Sequence, residues 1–214
     1  MSAAARFNMI EAQIRTSNVT DARIHAAMGA VLRERFVPTA SRALAYADVP
    51  VPVAPGRFLL DPRSFAKLLQ LARLTADDHV LDVGCGTGYS AAVLARLAKS
   101  VVALEQDADL VRIASEALMG AEGRIAVTQG ALIEGFKADA PYDVIFVNGA
   151  IEQTPDTLLA QLAEGGRLVA VMKDGAQGRA QLFVKEHGVV GRRPDFDADV
   201  PLLAGFKKAM GFVF

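Results

Sequence analysis

The chain has 214 residues, 52% of them hydrophobic, and its 23 basic and 24 acidic side chains leave a net charge of −1. That suits one domain with a two-faced core, and it lacks the basic excess that would hold a nucleic-acid backbone, so no nucleic-acid partner is expected. The single cysteine, Cys85, excludes an internal disulfide, the scattered His25, His79 and His187 offer no metal-ligand spacing, and no apolar run of about 18 residues suggests a membrane span.

Phe7 to Ile14 and Asp21 to Leu32 read as helices. Thr20 is the expected N-cap of the second, with Ile24, Met28 and Val31 on one face. No apolar segment with a cleavage site opens the chain, because Glu11 and Arg15 interrupt it early. A cytoplasmic protein is therefore expected, monomeric or weakly self-associating. Pro38 punctuates the end of this arm, and Pro50, Pro52 and Pro55 impose an extended segment. Asp61-Pro62 opens a third helix, with Pro62 in its first turn and Phe65, Leu68, Leu69 and Ala72 as its apolar stripe.

From there strands and helices alternate. Strands are expected at Val80–Val83, Val101–Glu105, Ile125–Thr128, Val144–Asn148 and Leu168–Met172, with helices near Gly88–Ala98, Asp107–Met119 and Pro155–Ala163. Gly165-Gly166 should end the last helix and start the fifth strand. Leu182–Lys185 and Met210–Phe214 read as late strands. The alternation implies an α/β fold. It predicts a doubly wound, Rossmann-like sheet, mostly parallel with an antiparallel C-terminal edge, plus an N-terminal helical arm. Residues 1–60 are taken as the arm and a substrate-side loop, and 61–214 as the ligand-binding core, within a single domain overall.

The most informative stretch is Val80-Leu81-Asp82-Val83-Gly84-Cys85-Gly86-Thr87-Gly88, an apolar strand entering a glycine-rich turn before a helix. Glycine at alternate positions allows a tight bend and close approach of a ligand to the backbone. A dinucleotide fingerprint would need glycine at position 89, which is Tyr89, and no lysine followed by Ser or Thr makes a phosphate-gripping loop. Glu105 ends the second strand about 20 residues on, where a carboxylate suits ribose hydroxyls. Asp82 lies at the end of the first strand, beside the turn. Gln106, Gln129-Gly130 and Asn148 lie at or beside the carboxyl ends of strands, where ligands bind in such sheets. Cys85 reads as a small space-filler rather than a nucleophile.

The glycine turn resembles the first motif of S-adenosylmethionine-dependent methyltransferases. Asn8-Met9-Ile10-Glu11-Ala12-Gln13-Ile14-Arg15, Val19-Thr20-Asp21, Arg35-Phe36-Val37-Pro38 and Ala45-Tyr46-Ala47-Asp48 resemble the N-terminal arm of the protein-L-isoaspartate O-methyltransferases. Pro141-Tyr142-Asp143-Val144-Ile145-Phe146-Val147 resembles that family's fourth-strand motif, and Gln161 to Val169 its helix-to-strand junction. The resemblance implies S-adenosylmethionine as cofactor, S-adenosylhomocysteine as product, and methylation of the stray carboxylate of isoaspartyl residues in damaged proteins. It implies cofactor binding at Asp82, Gly84, Cys85, Gly86, Gly88, Tyr89, Glu105, Gln106, Gln129, Gly130 and Asn148.

The chain departs from that pattern where the family has Thr-Ile-Ser-x-Pro. Here it reads Phe58-Leu59-Leu60-Asp61-Pro62, so Leu60 takes the serine position and the substrate side falls to Leu59, Leu60 and Asp61. The family's Asp-Gly after the third strand is Gln129-Gly130, and its Ala-Pro after the fourth is Ile151-Glu152. Leu60 has no hydroxyl to offer a carboxylate. This opens two further readings, a methyltransferase with another protein or small-molecule acceptor and a non-catalytic S-adenosylmethionine-binding module.

Overall fold

The structure is a computed structural model and describes residues 2–208. The expected strand at Met210–Phe214 lies outside the described residues. The arm begins with helix α1 (Ser2–Asn8), which continues as a π-helix over Met9–Ile14 and a 3-10 turn over Arg15–Ser17. Helix α2 spans Ala22–Ala30. Its N-cap is Asp21, whose carboxylate accepts from the Arg23 amide, and not Thr20. The Thr20 amide instead donates to Gln70 Oε1 at 2.7 Å, so tertiary contact outcompetes the local cap.

The proline-rich segment folds as a two-stranded hairpin, β1 (Val51–Ala54) against β2 (Arg57–Leu59). Helix α3 (Pro62–Ala72) starts as its sequence predicts. Asp61 accepts from the Ser64 amide at 2.8 Å, and Pro62 fills a first-turn position that needs no amide hydrogen. Its apolar stripe joins Met9, Ile14, Ile24 and Met28 of the arm in one core cluster.

Among the described residues the sheet has seven strands in the order β5-β4-β3-β6-β7-β8-β9. These are β3 (His79–Val83), β4 (Ser100–Glu105), β5 (Ile125–Gln129), β6 (Tyr142–Ile151), β7 (Leu162–Asp174), β8 (Gln177–Glu186) and β9 (Val189–Asp197). The first five run parallel, and β8 and β9 add antiparallel at one edge. Helices α4 (Tyr89–Leu94), α5 (Ala108–Ala117) and α6 (Asp156–Leu159) lie in the connections.

Four expectations need correction. The helix expected over Gly88–Ala98 is regular only to Leu94. The helix expected over Pro155–Ala163 shrinks to Asp156–Leu159, because Leu162 pairs with Tyr142 and starts β7 early. Gly165-Gly166 therefore lies inside that strand, where the register with β6 shifts. The late strand grows from Leu182–Lys185 to ten residues and pairs with β9, which lay in a polar stretch with no apolar alternation to mark it.

Candidate active site

Strand order reverses between β3 and β6, and the ligand crevice of a doubly wound sheet lies at the carboxyl ends of such strands. Here β3 delivers Asp82 and the glycine turn, β4 delivers Glu105, and β6 delivers Asn148. Gly84, Gly86 and Gly88 hold φ values of 78°, 57° and 98°, in the left-handed region that side chains disfavour. The turn is pinned at its base, where the amides of Gly84 and Cys85 donate to the Leu104 carbonyl. It is also tied to the arm by a 2.6 Å bond from Thr87 Oγ1 to the Phe36 carbonyl.

Asp82 is fully buried at the crevice floor. It accepts from Ser90 Oγ at 2.7 Å and from the Asn148 amide, so the switch-point strands are joined through it. Burial pushes its carboxyl up to about 7; the bonds from Ser90 and Asn148 oppose the rise, and Glu105 adds to it. Cys85 is buried, and burial pushes its thiol well above the ordinary range, as befits a space-filler. Gln106 and Gln129 are exposed at the strand ends, and the Gly130 amide donates to the Glu105 carbonyl.

Glu105 also lies in the crevice, fully buried, but its carboxylate is already engaged. Arg57 from β2 forks onto both oxygens, with Nη2 at 2.7 Å from Oε2, and reaches the Gly84 carbonyl at 3.2 Å. The amides of Gly86, Gln106 and Asp107 donate to the same carboxylate. Arg57 had no signal in the sequence beyond its place after Gly56 in a proline-rich loop.

A second unforeseen group is Leu203. The chain after β9 returns across the strand ends, held by bonds from the Ala150 amide to the Pro201 carbonyl and from the Leu203 amide to the Ala150 carbonyl, each 2.8 Å. This strap sets Leu203 so close to the turn that a methyl on Gly84 would lie 2.9 Å from its Cδ1. Between the hairpin, Asn148 and the strap only a void of about 10 Å³ remains.

The remaining expected residues fall elsewhere. The Tyr89 side chain does not face the crevice; its ring packs between Phe36 and Phe65, with the Arg33 guanidinium 4.8 Å from its centroid. Asp61 is committed to the cap of α3, Leu59 is half-buried, and Leu60 is 3% exposed, its carbonyl accepting from the buried Arg33. Among the described residues no cluster of His, Cys, Asp and Glu is arranged for a metal ion, and no helix is long and apolar enough to cross a membrane.

The groups a nucleoside cofactor with an ammonium would need are present: backbone free of Cβ at the turn, and carboxylates at Asp82 and Glu105. The fit is chemically sound, and in this structure Arg57 covers the Glu105 carboxylate and Leu203 covers the turn at Gly84.

Comparison with known proteins supports the same assignment. The family model of protein-L-isoaspartate(D-aspartate) O-methyltransferase matches residues 4–197. The protein-L-isoaspartate O-methyltransferase of Methylorubrum populi is 40% identical over 171 residues, 79% of this chain and 80% of that one. One from Rhodopseudomonas palustris is 40% identical over 178 residues, 83% and 81% of the two chains. A solved protein-L-isoaspartate O-methyltransferase superposes with a TM-score of 0.80 at 25% identity, covering 96% of this chain and 66% of that one. A putative one from Plasmodium falciparum, solved with S-adenosyl-L-homocysteine, shares the fold with a TM-score of 0.79 at 19% identity, over 97% and 99% of the two chains. The chain belongs to the protein-L-isoaspartate(D-aspartate) O-methyltransferase family.

Proposed function

We propose that this protein transfers a methyl from S-adenosylmethionine to the stray carboxylate of isoaspartyl residues in damaged proteins. The observation that carries this reading is the glycine turn, with Asp82 beneath it and Glu105 beside it, in a chain of this family. Glu105 would take the ribose hydroxyls, and the turn would give the cofactor close backbone approach. Asp82, braced by Ser90 and Asn148, would face its ammonium, whose positive charge would favour the ionised carboxylate. Gln106, Gln129 and Gly130 would border the base.

When bound, S-adenosylmethionine supplies an electrophilic methyl and leaves as S-adenosylhomocysteine. The protein need not supply a general base, because a carboxylate with a pKa near 4 is already ionised at neutral pH. What the chain contributes is position, and alignment of reacting atoms accounts for a large part of such rate enhancements. No triad is needed.

A second reading has its own support. Leu60 is apolar, buried and without a hydroxyl, and Phe58 and Leu59 extend an apolar wall beside it. This favours a different acceptor, protein or small molecule. The cytoplasm and a monomer or weak homo-oligomer complete the proposal.

The test is methyl transfer from radiolabelled S-adenosylmethionine to an isoaspartyl peptide beside its Asp counterpart, read as base-labile methanol. Label on the isoaspartyl peptide alone is expected. Label on neither, with S-adenosylhomocysteine binding measured by calorimetry, removes the isoaspartyl reading and leaves another acceptor or a non-catalytic S-adenosylmethionine-binding module.

A further inference from the structure

We propose that Arg57 competes with the cofactor's ribose for Glu105 and, once displaced, pairs with the carboxylate of the acceptor, so that cofactor and acceptor bind cooperatively. The inference rests on the methyltransferase reading above and adds a binding residue to it.

The argument begins with the lone pairs of Glu105. Its two oxygens accept from Arg57 Nη1 and Nη2 and from the amides of Gly86, Gln106 and Asp107. A carboxylate offers about four acceptor sites, so none is left for a ribose hydroxyl. Three of the donors are backbone groups, fixed by the turn and by the chain entering α5. Only the Arg57 fork sits on a side chain with rotamers of its own. A ribose can reach Glu105 only where Arg57 has left it.

Displacement would strand a guanidinium whose side chain is 7% exposed. An unpaired buried charge is strongly disfavoured, so the fork needs a new anion. The nearby carboxylates are committed, Asp82 to Ser90 and Asn148 and Asp61 to the cap of α3. Arg57 borders the small void it shares with Phe58, Leu60, Asn148, Leu202 and Leu203, about 10 Å³ as the side chains stand, which widens for an acceptor carboxylate only as Arg57 shifts. That void lies against Leu60, on the side assigned to the acceptor. A planar guanidinium binds a carboxylate through two parallel bonds. It thereby supplies the polar contact that Leu60 lacks. Coupling of this kind is reciprocal, each ligand raising the affinity for the other.

The test is calorimetric titration of S-adenosylhomocysteine into wild type, Arg57→Gln and Arg57→Lys, alone and with saturating isoaspartyl peptide or its Asp counterpart. Wild-type affinity should rise at least tenfold with the isoaspartyl peptide. Arg57→Gln alone should bind at least tenfold more tightly than wild type alone, with the peptide changing its affinity less than twofold. Arg57→Lys keeps the charge without the fork and should fall between the two. It serves as the test if thermal unfolding shows that Arg57→Gln does not fold. Measurable binding with variant affinity equal to or weaker than wild type, or with equal peptide coupling in all three proteins, overturns the proposal alone. No binding by any of the three overturns the proposed function and this inference with it.

Discussion

Two arginine–carboxylate pairs sit at opposite ends of the sheet, the buried Arg57 with Glu105 at the carboxyl end and the half-buried Arg167 with Asp78 at the amino end. Arg167 is bound from several sides. It donates to the carbonyls of Ala72, Arg73 and Asp143 as well as to Asp78, at 2.6 Å from Oδ2. It thus ties the end of α3, the approach to β3 and the start of β6 into one joint. Among the described residues Arg57 has only the Glu105 carboxylate and the Gly84 carbonyl as acceptors, both parts of the candidate ligand site. The Arg167 pair is a brace, because no single partner commands it. The Arg57 pair is a latch, because all its acceptors belong to the surface a nucleoside would claim. The chemistry of the pairs is the same, and connectivity separates their roles.

The largest expected effect comes from Glu105→Ala, which strands the Arg57 guanidinium. A loss of about 5 kcal/mol in unfolding free energy is expected, measured by denaturant titration, together with loss of S-adenosylhomocysteine binding by calorimetry. Asp78→Ala removes the one anion on Arg167 but leaves it three carbonyls, so it should cost less, about 3 kcal/mol, and leave the ligand affinity within twofold of wild type. If both variants lost binding alike, the distinction between latch and brace would not stand.

Asp82 extends the contrast to pH. Its folded carboxyl sits at about 7 against an unfolded value near 4, so the folded chain holds an extra proton between those values. The stability this contributes is complete below about pH 4 and is lost as pH rises through about 7, at most about 4 kcal/mol over the window. Asp82→Asn should flatten the stability curve between those pH values, read from thermal unfolding across a buffer series.

The smallest effect probes the contact between turn and strap. Gly84→Ala places a methyl against Leu203 and Arg57 at a left-handed φ, and should cost about 2 kcal/mol. Paired with Leu203→Ala in a double-mutant cycle, about half of that cost should disappear, leaving the backbone strain. Full additivity would mean that the strap does not press on the turn.

The sequence was most legible where a few consecutive residues decide the outcome. The parallel strands through β7 follow from apolar runs between helices, and the start of α3 follows from Asp61-Pro62. At the glycine turn, spacing alone separated the pattern from a dinucleotide fingerprint. Legibility failed where a residue had two local options and a distant partner chose between them. Thr20 gave up the cap of α2 to bond Gln70, and Leu162 left a helix to pair with Tyr142. Tyr89, one residue beyond the turn, went to the core because Phe36 and Phe65 from the arm and α3 offered its ring an apolar slot.

By itself the sequence determined the parallel strands through β7, the turn and the placing of Asp82 and Glu105 at strand ends, since each depends on periodicity or on φ preference within a short window. The tertiary structure alone decided that Arg57 lies on Glu105, that Leu203 lies on Gly84, and that Arg167 joins Asp78. Those contacts join segments far apart in the chain. Their energies come from burial and charge pairing that exist only once the segments have met, so no local pattern carries their trace.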